Sequence, residues 1–112
     1  MIKVEAVVAR DLIETVIDAV EDEVGRIGMT VTEAAGHGGR SSELVPEALL
    51  MLIVSEAKAE RVATLIAGAA RSGHASGDGL VWMSPVYGVT HSRTGKPLHE
   101  YVEPSFAEVV TR

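Results

Sequence analysis

The chain opens on an alternation. Ile2, Val4, Ala6 and Val8 fall on one side of an extended segment, with Lys3 and Glu5 opposite. A period of two turns one side toward a core, so this stretch reads as a half-buried strand. The period then changes. Leu12, Ile13, Val16, Ile17, Val20 and Val24 recur at helical spacing. Asp11 stands before this stripe with Glu14 three residues on, the spacing of a capping box. Glu21, Asp22 and Glu23 give the helix a solvated face, and Gly25 can end it in the left-handed conformation.

Met29 to Ala35 alternates Thr and Glu with apolar residues and reads as a second strand. The eleven residues from Gly36 to Pro46, rich in glycine and serine, are expected to form a loop. Ala48 to Val54 is almost continuously apolar, as in a central strand buried on both sides. Ser55 is placed to cap a second helix with Val62, Leu65, Ile66, Ala69 and Ala70 as its buried stripe, and Gly73 lies just past its end. Asp78-Gly79 turns the chain into a further β-like segment, Leu80 to Thr90, where Pro85 marks an edge position or a bulge. The tail from Gly95 is polar and ends in a short apolar patch, Phe106, Val109 and Val110. That patch reads as a short helix, docked either on its own subunit or on a partner.

Strand, helix, strand, strand, helix, strand is the split βαβ order, so the expected fold is α+β, a ferredoxin-like βαββαβ sandwich. Both helices then cover one sheet face. The apolar third strand requires that the other face be covered too, and packing against further copies of the chain would do it. Assembly would also relieve the marginal stability of a 112-residue domain.

Composition narrows the function. The formal charge is -6 and the basic residues are scattered, which argues against nucleic acid as a partner. The absence of cysteine excludes disulfides and thiolate metal sites. The start, Met1-Ile2-Lys3-Val4-Glu5, is not patterned as a signal peptide, and the longest apolar runs are too short to span a bilayer. A cytoplasmic protein is expected.

Two glycine-rich stretches offer chemistry. Gly36-His37-Gly38-Gly39 can turn backbone N–H groups toward an anion, with Arg40 adding charge, and it is also a plain flexible loop. Gly77-Asp78-Gly79 can do the same or serve as an ordinary tight turn. No Gly-Lys-Ser/Thr follows either, so neither is a Walker loop. His37, His74, His91 and His99 lack metal-ligand spacing, and no metal site is expected. No nucleophile elbow or paired nucleophile and base is present, so no enzyme is expected.

Three stretches resemble the PII nitrogen-regulatory family: Gly28-Met29-Thr30-Val31-Thr32-Glu33 with Gly36-His37-Gly38; Ser72 to Gly79; and Ser84-Pro85-Val86 through Ser92-Arg93-Thr94-Gly95. They follow the family's order over residues 1–97, leaving 98–112 as a C-terminal tail. The resemblance implies a homotrimeric signalling protein with adenine-nucleotide sites (ADP, AMP or ATP) in clefts between subunits. It also implies a long loop that docks on a partner enzyme or membrane transporter. Carried over residue by residue, Gly28, Met29 and Thr30 would edge the adenine. Gly36, His37, Gly38, Arg40, Asp78, Gly79, the backbone of Leu80, His91 and Arg93 would lie toward the phosphates.

The chain also departs from the family. Its loop is roughly a dozen residues shorter than the usual signalling loop, a length still compatible with function. The loop holds no tyrosine to modify. Leu80 stands where the resemblance implies a lysine, and His91 where it implies an arginine. Such losses resemble divergent PII-like proteins of bicarbonate transport and carboxysomes, so bicarbonate is a further candidate ligand. His37 and His91 could both lie near the anion, and protonation would then strengthen its hold. A small-anion sensor or a ligand-free trimeric scaffold are the alternatives.

Overall fold

In a computed structural model the chain is described over residues 1–38, 41–71 and 79–98. Its elements are β1 (Ile2–Ala9), a 3-10 turn (Arg10–Leu12), α1 (Ile13–Val24), β2 (Thr30–Gly38), β3 (Ser41–Val54), α2 (Glu56–Ala69), β4 (Leu80–Pro85), β5 (Val89–Thr90) and β6 (Pro97–Leu98). β2, β3, β1 and β4 form one sheet in that order, each antiparallel to its neighbour. The ferredoxin-like α+β architecture is the expected one.

The alternation in β1 does what its period predicts. Val4, Ala6 and Val8 are fully buried and meet Ala48, Leu50, Leu52 and Val54 of β3 under the two helices. The helices contribute Val16 and Val20 from α1 and Ala59, Val62 and Ile66 from α2, with Ala70 just beyond. These are small branched or short side chains, which let the helices sit close to the sheet. α1 and α2 pack on each other, and Arg61 donates to Glu23 across them at 3.1 Å.

The other face carries the residues in between: Lys3, Glu5 and Val7 of β1, Glu47, Leu49, Met51 and Ile53 of β3, Thr30, Thr32 and Ala34 of β2, and Leu80, Trp82 and Ser84 of β4. Among the described residues no helix covers it. From Ala48 to Val54, β3 is therefore buried on one side and half-buried on the other, where its sequence promised burial on both.

Several local expectations change. The Gly36–Pro46 loop is mostly strand: β2 and β3 run on as a hairpin, pairing Ala35 with Pro46 and Gly36 with Val45, with an irregularity between Gly36 and Gly38. Pro46 is tolerated because β1 ends opposite Glu47, so at Pro46 the strand has a neighbour on one side only. Asp11 lies in the 3-10 turn, and α1 begins at Ile13 with Leu12 in the cap position and no side-chain cap bond. Ser55 does occupy the cap position of α2, but its hydroxyl makes no cap bond and is buried without a partner. The segment from Leu80 to Thr90 breaks after Pro85. Its last two residues pair instead with Pro97–Leu98 in a small separate hairpin. The tail patch at Phe106 to Val110 lies outside the described residues, as do His74 and His99.

Candidate functional site

Register fixes where the candidate residues fall. Thr30 begins β2 opposite Met51, and Met51 is opposite Glu5. Gly28, Met29 and Thr30 line a cavity of about 240 Å³ with Met51, Leu52 and Ile53, toward the Ile2 end of β1. Gly36, His37 and Gly38 lie at the opposite end, past the last residue of β1. Six residues of strand separate Thr30 from Gly36, about 20 Å at the usual rise.

Gly79 and Leu80 also belong to the far end of β1, since Leu80 pairs with Val7. Gly79 has φ +83°, and a Cβ there would run into the main-chain carbonyl of Val7. Only glycine fits this approach. Leu80 is 71% exposed on the open face. Its row across the sheet is Leu80, Val7, Leu49 and Thr32, so two strands and four residues of β2 lie between it and Gly36.

His91 and Arg93 sit in the turn joining β5 and β6. This hairpin is anchored near the start of β1, where the Val86 N–H donates to the Met1 carbonyl at 3.0 Å. The Arg93 N–H donates to His91 Nδ1 at 3.2 Å, which sets the neutral imidazole proton on Nε2. Thr94 Oγ1 accepts from the Lys96 N–H, which leaves the Arg93 side chain exposed at the tip. Arg40 and Asp78 lie outside the described residues.

On the main sheet the candidate residues form two groups at opposite ends, Gly28, Met29 and Thr30 at one and Gly36, His37, Gly38, Gly79 and Leu80 at the other, while His91 and Arg93 lie on the separate β5–β6 hairpin. Two residues missed in the sequence join the second group. Arg10, at the end of β1, donates to the carbonyls of Ala34 at 2.7 Å and Glu47 at 3.3 Å, tying β2 and β3 together where β1 ends. Glu47 is half-buried on the open face, and its carboxylate fills the space over Gly36 where a Cβ would stand.

The family model described as "Nitrogen regulatory protein P-II" matches residues 1–96. The chain belongs to the P-II family. Curated relatives agree. A nitrogen regulatory protein P-II of Synechocystis is 34% identical, over 86% of this chain and 95% of its own length. "Nitrogen regulatory protein P-II 1" of Methanothermobacter thermautotrophicus is 32% identical, over 86% of this chain and 92% of its own. The P-II protein of Rhizobium meliloti is 32% identical, over 86% and 95%. P-II proteins are regulatory and act in signal transduction, and this chain is a member. Among the described residues no helix is long and apolar enough to cross a membrane, and no cluster of His, Asp and Glu could hold a metal ion.

Proposed function

We propose that this chain senses an adenine nucleotide in clefts between copies of itself, assembled as a homotrimer, and reports it to a partner enzyme or transporter. The separation of the candidate residues carries this reading. One protomer holds an adenine-edge group at one end of its sheet and a glycine-rich group about 20 Å away. A small ligand reaches both only where two chains meet end to end. The uncovered sheet face, bearing Val7, Leu49, Met51, Ile53, Leu80 and Trp82, supplies the surface for that meeting. Ligand binding shifts the β2–β3 hairpin and the tail between states, by no more than its differential affinity for them.

Light scattering combined with a thermal-shift panel of ATP, ADP, AMP, cyclic AMP and bicarbonate tests the reading. A trimer mass is expected, with a stabilisation of about 2.7 kcal/mol when a bound nucleotide is present at a hundredfold excess over its dissociation constant. A shift with bicarbonate alone would make the chain a small-anion sensor. The exposure of Leu80, where the resemblance implies a lysine, favours a second reading: a trimeric scaffold that takes no nucleotide. A trimer indifferent to all five compounds would establish that one, and a monomer would remove both.

A further inference from the structure

The Gly36 end of the open face carries an unexpected charge. A glycine in an edge strand lets a ligand come close to the backbone, and phosphate is the usual visitor. Here the approach over Gly36 is already occupied by the Glu47 carboxylate. Glu47 reaches that position because it pairs with Ala34, two residues before Gly36 on the same face. Arg10 lies nearby, but its guanidinium is directed at the main-chain carbonyls of Ala34 and Glu47. The neighbouring row is Leu80, Val7, Leu49 and Thr32, three apolar residues and a hydroxyl, none of them a cation. Two like charges a few ångströms apart at a partly buried site repel strongly. Apolar side chains cannot offset the lost hydration of a phosphate.

We propose that Glu47 makes this end of the cleft a charge filter, so that the chain takes adenosine compounds carrying few negative charges and rejects the triphosphate. The inference rests on the adenine-nucleotide reading above and specifies its ligand. Glu47 acts as a specificity residue: it sets which members of a series bind.

Calorimetric titration of the full chain with adenosine, AMP, ADP and ATP, without divalent cations, tests it. The wild-type chain should bind ATP about tenfold more weakly than AMP, and added salt should narrow the gap. Glu47→Gln keeps the shape over Gly36 and removes the charge. It should tighten ATP about tenfold while changing adenosine less than about twofold. If adenosine binds but ATP is as tight as AMP in the wild-type chain, the filter is overturned and the nucleotide reading stands. Equal gains for adenosine and ATP in Glu47→Gln would overturn the filter too, because charge would not be what Glu47 reads. If neither adenosine nor any of its phosphates binds either protein, both ideas fall together.

Discussion

Leu50 and Leu49 are neighbours in β3 with opposite surroundings. Leu50 is fully buried among Val, Ala and Ile side chains from β1 and the helices. Leu49 points the other way, onto a half-exposed face among Val7, Thr32 and Leu80. One face of the sheet is covered by the two helices, and the other is left open among the described residues. The covered face makes the fold, and the proposed function rests on the open face and its two ends. Cutting into each face separately tests that division, and the largest effect belongs to the covered one. Leu50→Ala removes a side chain with no route for solvent to fill the gap, and should cost about 2–5 kcal/mol. Chemical denaturation of dilute protein measures it. Leu49→Ala under the same conditions should cost less than half as much. Equal losses would mean that the two faces are not different in kind.

The covered face was legible in the sequence, because its signal is local. Val4, Ala6 and Val8 alternate, Val16 and Val20 recur on a helix, and neither pattern needs knowledge of the rest of the chain. The open end of the sheet was not legible, because it is made by pairing. Gly36, Gly38, Gly39 and Pro46 are turn signals when read one by one, yet the register of β2 on β3 carries strand through most of them. Glu47 reads as a lone charge after a proline. Only the Ala34–Glu47 pair brings its carboxylate over Gly36, eleven residues earlier. Arg10 likewise follows an ordinary strand, and its two acceptors lie 24 and 37 residues away. The β5–β6 hairpin escaped because strands of two residues have no period to detect. The family motifs identified which residues to watch, and the register then divided them between two ends.

Two glycines give the next largest effect and sharpen the comparison from the open side. Gly79 is held by the fold: its positive φ and its contact with the Val7 carbonyl leave no room for a side chain. Gly79→Ala should cost about 1–3 kcal/mol and loosen the start of β4. Gly36 is different, because what stands in its way is the far end of a flexible side chain, the Glu47 carboxylate. Gly36→Ala should change stability by less than about 1 kcal/mol, since Glu47 can swing away and alanine restricts the unfolded chain. Paired thermal melts decide it. A Gly36→Ala chain as damaged as Gly79→Ala would show that the hairpin root is rigid and that Glu47 is a structural prop. Its role as a filter would then be in doubt.

The smallest effect on the fold should come from the middle of the open face, at Trp82. This residue is 40% exposed, and its indole N–H donates to Glu5 Oε1 at 3.1 Å. A lysine at 82 retains a donor for Glu5, and its methylene stem can cover part of what the indole covered, so the folded protomer should lose no more than about 1 kcal/mol. The same substitution places a cation in the centre of the surface proposed to meet its own copies. Packing like charges together without partners is costly, so Trp82→Lys should lower the mass from trimer to single chain. Assembly and folding are linked by mass action. The wild-type melting temperature should therefore rise with protein concentration, while that of Trp82→Lys should not. Circular dichroism would report an unchanged fold in both. A wild-type melt independent of concentration, or a Trp82→Lys chain that still forms trimers, would mean that this face is not where copies meet. The two groups of candidate residues would then have to be joined through some other surface, or serve two separate ligands.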